Sequence, residues 1–384
     1  MYAAPCKPSI TCNARRAGLT ACVAAQPLHT RSGTITHFRR HNFCMPAAEP
    51  QIPLAPVVPP TPYRAPRWLP GGHAQTIHAA RWVRRPPVTY WRERWETPDF
   101  DFIDLDWVDS PHQELALDQR DDTPLVVLFH GLEGSSDSPY ARGLMHAVNA
   151  RGWRGVVVHF RGCSGEINRL PRAYHSGDSA EIDWILRRLR STRSSPMYVA
   201  GVSLGGNALL KWLGEQGDDA CEIITRAAAV SAPVDLAAAG VALARGFNMI
   251  YTRNFLATMK TKTLAKMKRY PALCDMRRMQ AARTLYQFDD LVTAPLHGFK
   301  GVDDYYARAS SKAFLQTIAV PTLVLNARND PFLPGQFLPA PEAVSSSVQL
   351  ETPATGGHVG FVTGGFPGNS AWLPQRLLQF FEST

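Results

Sequence analysis

The stretch that most constrains this chain runs from Pro196 to Asn207, Pro-Met-Tyr-Val-Ala-Gly-Val-Ser-Leu-Gly-Gly-Asn. A short apolar run with β-branched and aromatic residues ends in Gly201-Val202-Ser203-Leu204-Gly205. It passes at once into Ala208-Leu209-Leu210-Lys211-Trp212-Leu213, which reads as a helix. A strand, a sharp turn and a helix in so few residues leave little freedom. Ser203 is expected in strained backbone, with Gly201 and Gly205 letting neighbouring chain approach where a Cβ would block it. It would also stand at a helix N-terminus, where backbone N–H groups and the helix dipole favour developing negative charge. The five-residue pattern also arises by chance in loops, so its meaning rests on whether a base and an acid stand downstream of it.

A serine hydroxyl is a poor nucleophile until a base takes its proton. Downstream, Val320 to Asn326 reads as a buried strand and is followed by Ala327-Arg328-Asn329-Asp330-Pro331. The alternating run Val348 to Glu351 is followed by Thr355-Gly356-Gly357-His358-Val359-Gly360. Asp330 and His358 thus fall in loops directly after strands, in the order Ser, Asp, His. In those roles Asp330 would fix the imidazole tautomer while His358 shuttles the Ser203 proton. Read singly, Asp330 is a turn residue before proline and His358 a loop histidine among glycines; the joint placement is what favours chemistry. Acyl transfer also needs two N–H donors for an oxyanion. The apolar strand Pro124 to Phe129 leads into His130-Gly131-Leu132-Glu133-Gly134, so the backbone N–H groups of Leu132 and Leu204 are the expected donors, with His130 structural.

Composition becomes informative only when the charge is located. The 384 residues carry a net charge of +9, but residues 1–44 hold six Lys or Arg and no acid, leaving 35 basic against 32 acidic residues elsewhere. The body is near neutral, and no stretch interleaves basic and aromatic residues as a nucleic-acid module would. The leader also holds Cys6, Cys12, Cys22 and Cys44, four of seven cysteines. It lacks helical or strand periodicity and is expected to be disordered. Three readings compete for it: a weak signal peptide around Arg15 to Ala25, an Arg-rich transit peptide, or an upstream extension before a start at Met45. The last of these is the expectation. Residues 45–67 are proline-rich and read as an extended lead-in.

The ordered body is expected over 68–384. Tyr90 to Val108 suggests a hairpin whose second run alternates Ile103, Leu105 and Trp107 with Asp104 and Asp106, implying one buried face. Strand and helix patterns then alternate, as parallel βαβ units require: helix 140–150, strand 155–160, helix 178–190, the Ser203 turn, and a last amphipathic helix 372–381. Asp178 and Glu181 have capping-box spacing. Between about 237 and 317 the alternation fails, and an inserted helical lid is expected. Its segment 254–268 carries Phe255, Leu256, Met259, Leu264 and Met267 on one side among lysines, so it either packs as a lid or touches a membrane surface; packing is the expectation. The fold class is α/β, a mostly parallel central sheet with antiparallel N-terminal strands, helices on both faces, and the lid.

Several motifs together resemble the YheT-like family of α/β-hydrolases, related to eukaryotic abhydrolase-domain esterases and lipases. They are Pro70-Gly71-Gly72-His73-Ala74-Gln75-Thr76, His130 to Gly134, Phe160-Arg161-Gly162-Cys163-Ser164-Gly165, Tyr174-His175-Ser176-Gly177-Asp178 and Gly201 to Asn207. The likeness covers nearly everything from Trp68 onward. It implies an α/β-hydrolase fold, a charge-relay triad of Ser203, Asp330 and His358, and carboxylic esters or monoacylglycerol-type lipids as substrates. The physical reading gives no role to Gly72-His73 or to Arg161-Gly162-Cys163, beyond the latter lining a pocket, and treats Cys163 as a small buried residue.

The expected function is ester hydrolysis through an acyl-enzyme. The alternatives are acyl transfer to an alcohol by the same triad, or a silent hydrolase fold used as a binding module. No cofactor and no metal is expected, since the histidines lack ligand spacing. The expected partner is a small ester or lipid and no nucleic acid, with transient membrane contact through the lid as the looser possibility, in a monomer or small homo-oligomer. Cysteine usage suits a reducing cytoplasm.

Overall fold

The computed structural model describes residues 62–108 and 122–383. The leader 1–44 and the proline-rich residues up to 61 lie outside the described residues. Eight strands form one sheet among the described residues: β1 Trp91–Glu96, β2 Phe102–Val108, β3 Leu125–Phe129, β4 Arg154–His159, β5 Met197–Val202, β6 Arg226–Val230, β7 Thr322–Leu325 and β8 Val348–Glu351. Their order across the sheet is β1-β2-β4-β3-β5-β6-β7-β8. β1 and β2 run antiparallel, as do β2 and β4; every later pairing is parallel.

The parallel strands are apolar along their whole length because helices cover both faces. Val126 and Leu128 of β3 pack on one side against Leu144, Met145 and Val148 of the helix Pro139–Ala150 and Leu377 and Leu378 of the helix Trp372–Glu382. Leu125, Val127 and Phe129 point the other way, onto Ile182, Ile185 and Leu189 of the helix Ser179–Ser191 and Leu209 and Leu213 of the helix Leu204–Gln216. From β3 the chain crosses to β4 on one side and then to β5 on the other, so β3 and β5 flank the point where the winding reverses. Loops leaving their C-terminal ends part there and open a crevice.

Two local expectations are corrected. The alternation in β2 implies one wet face, yet all seven of its residues are buried. Asp104 and Asp106 are covered by β1 and held by ion pairs, Arg94 Nε at 2.7 Å and Arg92 Nε at 2.7 Å. Asp106 also accepts from Ser136 Oγ at 2.5 Å and faces His159 Nε2 at 2.8 Å. A buried carboxylate with that many partners behaves like a core residue, which periodicity alone cannot register. The capping box is absent too. Asp178 occupies the N-cap without a side-chain bond to the helix, because its Oδ1 accepts from Arg172 at 2.6 Å and Glu181 accepts from Arg161 at 2.7 Å.

Between β6 and β7 the chain is helical, with Leu236–Leu243, Met249–Met267 and Val302–Ala309 the longest pieces. In Met249–Met267 Tyr251, Leu256 and Met267 pack inward with Phe288, Val292 and Phe332, but two lysines also face inward. Lys262 Nζ pairs with Glu133 Oε2 at 2.9 Å, and Lys266 Nζ donates to the carbonyls of Arg172 at 2.6 Å and Pro171 at 3.1 Å. The helix is therefore anchored to the sheet loops by its basic side as well as its apolar one.

Candidate active site

Ser203 follows β5 with φ +54° and ψ −118°, a conformation rare for a residue with a side chain. The turn is held by its N–H donating to Val230 O at 2.8 Å and by Asn207 N donating to Ser203 O at 3.0 Å. Two glycines make it possible. A Cβ on Gly205 would lie 2.5 Å from the carbonyl oxygens of Phe129 and His130, and one on Gly201 2.6 Å from Gly205 O. Asn207 then fastens the following helix: its Nδ2 donates to Ser176 O and Ala309 O at 2.8 Å, and its Oδ1 accepts from Ser311 N at 2.9 Å.

The loops after β7 and β8 bring Asp330 and His358 to this turn. His358 Nε2 lies 2.9 Å from Ser203 Oγ, and His358 Nδ1 lies 2.9 Å from Asp330 Oδ2 and 3.2 Å from Oδ1. Asp330 is buried, and Phe332 N donates to its Oδ1 at 2.8 Å. The Phe332 ring stacks on the imidazole at 3.9 Å between centroids and 20° between planes. A serine, an imidazole and a buried carboxylate in this linear arrangement can pass one proton from the hydroxyl to the ring.

The Pro70 to Thr76 motif, without a role on sequence grounds, supports the histidine loop. The helix Gly72–Arg81 presents Gln75, whose Oε1 accepts from Gly356 N at 2.8 Å and Asn329 Nδ2 at 3.0 Å, while its Nε2 donates to Leu69 O at 3.0 Å. Thr76 Oγ1 accepts from His358 N at 2.8 Å and donates to Gly72 O at 2.7 Å. Asn329 Oδ1 accepts from Gly357 N at 2.9 Å. Gly72 is required by contact: a Cβ there would sit 1.9 Å from Asn329 O. His73 Nδ1 lies 3.2 Å from Tyr251 Oη, joining this helix to the lid. Residues so distant in sequence carry no local signal of their partnership.

The loop after β3 lies against the serine. A Cβ on Gly131 would come within 3.1 Å of Ser203 Cβ. Gly131 N donates to Tyr140 Oη at 2.9 Å, Glu133 N to Tyr174 Oη at 2.8 Å and Gly134 N to Gly131 O at 2.9 Å. No acceptor among the described residues takes the Leu132 N–H. Leu204 N is the first of its helix, which leaves it without an intrahelical acceptor. His130 is buried and its pKa is pushed down to about 3 by desolvation, so it stays neutral. Phe160 N donates to its Nε2 at 3.2 Å, and its Nδ1 lies 2.8 Å from Gly131 O, a loop-shaping role.

Arg161 and Cys163 do not join this centre. Arg161 is buried in a carboxylate cluster of Asp99, Asp101 and Glu181, although it also borders a small cavity of about 70 Å³. Burial pushes the Cys163 thiol up to about 11, so it is a protonated core group and a poor nucleophile.

Two spaces meet at Ser203 and His358. One is an open groove of about 720 Å³ bordered by Ile77, Trp82, Leu132, Tyr140 and Ile250. The other is a smaller pocket of about 100 Å³ under the lid, lined by Leu236, Leu243, Phe255, Met259 and Tyr306, with Asp289 among its walls. Burial pushes the Asp289 carboxyl up to about 6, against weaker opposing hydrogen bonds from Thr293 Oγ1 at 2.6 Å and Tyr306 Oη at 3.0 Å. The folded protein thus holds this proton more tightly than the unfolded chain, where the carboxyl titrates near 3.8. The favourable contribution is complete below that value and is lost as pH rises through 6. Asp289→Asn is therefore expected to gain on the parent by on the order of 3 kcal/mol between pH 4 and pH 7 in urea unfolding. A stability gap that does not move with pH would contradict this.

Among the described residues, no group of three or more His, Cys, Asp or Glu could hold a metal ion, and no helix is long and apolar enough to cross a membrane. The family model of the alpha/beta hydrolase fold matches residues 124–365. YheT of Escherichia coli, named provisionally as an esterase, is 40% identical over 308 residues, 79% of this chain and 88% of that protein. The human phospholipase ABHD3 is 30% identical over 331 residues, 85% of this chain and 80% of that protein. A monoacylglycerol lipase of Saccharomyces cerevisiae is 30% identical over 280 residues, 69% of this chain and 60% of that protein.

Proposed function

Since the chain belongs to the α/β-hydrolase family and is a carboxylic ester hydrolase, we propose that Ser203, His358 and Asp330 are its catalytic triad, acting through an acyl-enzyme. The observation that carries this is the pair of 2.9 Å contacts on the two ring nitrogens of His358. With Nδ1–H donated to Asp330, Nε2 is left as the acceptor for the Ser203 proton. The Ser203 oxygen adds to the ester carbonyl as that proton moves to Nε2. The resulting oxyanion accepts from the N–H groups of Leu132 and Leu204. Collapse breaks the ester C–O bond, and His358 returns the proton to the departing alcohol. Water then enters by the same steps in reverse roles, releasing the acid and restoring Ser203.

The two spaces suggest how substrate lies. The smaller apolar pocket under the lid suits a short- to medium-chain acyl group, and the larger groove suits a bulkier alcohol such as a monoacylglycerol-type head. The yeast relative is named a monoacylglycerol lipase and the human one a phospholipase, and both names favour lipid esters in general. Cys163, Cys221 and Cys274 are free thiols, which suits a reducing compartment.

The test is labelling with a fluorophosphonate probe, located by peptide mapping, beside turnover of p-nitrophenyl esters of increasing chain length. Label on Ser203 with an optimum at short or medium chains is the expected result. Absence of both label and turnover would overturn the proposal. Gln75 is a positioning residue in this scheme. Gln75→Leu removes the acceptor shared by Gly356 N and Asn329 Nδ2, and is expected to lower kcat by roughly 10- to 100-fold with KM little changed. Gln75→Glu, which keeps an acceptor there, is expected to recover much of the loss. Equal kcat in Gln75→Leu and the parent would show that the loop needs no such support.

A further inference from the structure

The mouth of the open groove is unusual for a water-facing surface. Trp82 is 64% exposed and Ile250 44%, and both border the groove that leads to Ser203. Phe247, 50% exposed, lies one turn before Ile250 and packs on His73 at 4.6 Å between ring centroids. Phe366, 79% exposed, sits at 6.4 Å from the His78 ring, which in turn lies 5.6 Å from Trp82. Single exposed apolar residues are ordinary; two on the groove itself, with Phe247 linked to its lining by Tyr251 at 6.3 Å and Phe366 by the His78–Trp82 contact, are not.

Basic side chains outnumber acidic ones around that opening. The segments that supply Arg81, Trp82, Ile250 and Ser370 to the groove, residues 71–88, 242–260 and 359–371, contain no Asp or Glu, whereas Arg81, Arg84, Arg85, Arg245 and Arg253 are all exposed on them; the loop 131–140, also part of the lining, carries Glu133 and Asp137. Of the nearby acids, Asp137 pairs with Arg142 at 2.9 Å and Glu133 with Lys262 at 2.9 Å. The chain body as a whole is near neutral, so this excess is local.

We propose that the groove mouth is a docking surface for a lipid bilayer bearing anionic headgroups. The Trp82 indole, with its N–H, settles at the headgroup level, the wholly apolar Phe247, Ile250 and Phe366 side chains dip to the acyl boundary, and arginines on the same segments gain from the negative surface potential. The proposal rests on the ester-hydrolase reading of the groove, because a docked mouth would let an amphiphilic ester move from the bilayer to Ser203 without crossing water. The charge complementarity favours a membrane over a second copy of this chain, whose rim would carry the same sign.

The test uses the full chain and sucrose-loaded vesicles of phosphatidylcholine, alone or mixed with phosphatidylglycerol, read by co-sedimentation. Two double variants change only the rim: Phe247→Ser with Phe366→Ser, and Arg84→Glu with Arg253→Glu. The parent is expected to bind the mixed vesicles, and less as salt rises. Each double variant is expected to bind about tenfold or more weakly, while turnover of p-nitrophenyl butyrate in solution stays unchanged. A parent that remains in the supernatant overturns the proposal. So do variants that bind as tightly as the parent, the outcome if the Arg-rich leader common to all of them does the binding. It also falls if the variants lose a self-association that the parent shows by sedimentation velocity without vesicles. A parent without turnover of the soluble ester would instead strike the hydrolase reading, and the vesicle result is read independently of it.

Discussion

Ser203→Ala is expected to lower kcat/KM toward a p-nitrophenyl ester by at least about 10³-fold, with KM and thermal stability close to those of the parent. The hydroxyl oxygen lies 2.9 Å from His358 Nε2, and its removal takes away the bond-forming atom while leaving pocket and oxyanion donors in place. Alanine shares the serine's dislike of the positive φ at this position, +54°, so backbone strain is carried over rather than relieved. Only a residual rate from binding and oxyanion stabilisation should remain. Initial rates at several chain lengths, with circular dichroism as a folding check, decide the matter. A fall of less than about tenfold in a folded variant would mean that another group is the nucleophile.

The second large effect is on stability. Arg161 is almost wholly buried, and its guanidinium meets Glu181 Oε1 at 2.7 Å, Asp99 Oδ2 at 2.8 Å and Asp101 Oδ2 at 3.1 Å. Burial and the neighbouring Asp178 already push the Glu181 carboxyl up to about 7, with Arg161 and Arg172 working against them. Asp99 is held down to about 2 by hydrogen bonds from Arg161 and Thr97 that outweigh its burial. Arg161→Met keeps much of the volume and leaves these carboxylates without their central cation. Removing one partner of a buried ionic cluster typically costs about 3–5 kcal/mol, and that loss is expected here in guanidinium unfolding at pH 7.5. Without the cation the carboxylates take up protons more readily, so the deficit should shrink as pH falls. A loss below about 1 kcal/mol would mean that the cluster contributes specificity rather than stability.

The two variants probe features of very different legibility. Ser203, Asp330 and His358 could be placed because each lies in the stretch that follows a strand legible in the sequence, where parallel sheets deliver their loops to one edge. Arg161 could be found as part of a motif but not interpreted, since its partners Asp99 and Asp101 lie some sixty positions away and no periodicity links them. Asp104 and Asp106 misled for a related reason. Alternation assigns carboxylates to the wet face of a strand, and the arginines on β1 that make their burial tolerable belong to a different segment. The apolar register of the lid helix was visible, whereas the inward turn of Lys262 and Lys266 was not. Each depends on acceptors in the loops after β3 and β4.

What the sequence determined by itself is the set of local commitments. These are where strands end, where glycine permits the Ser203 turn, and the order in which Ser203, Asp330 and His358 leave the sheet. Such features depend on residues a few positions apart, so propensity and spacing suffice to read them. The tertiary structure alone decided how the pieces hold one another. Gln75 and Thr76 reach across more than 280 positions to steady the His358 loop, and Gly72 is glycine because Asn329 O occupies the space of a Cβ. Hydrogen bonds and steric exclusion act over a few ångströms in space whatever the separation along the chain, and only folding makes those two distances the same.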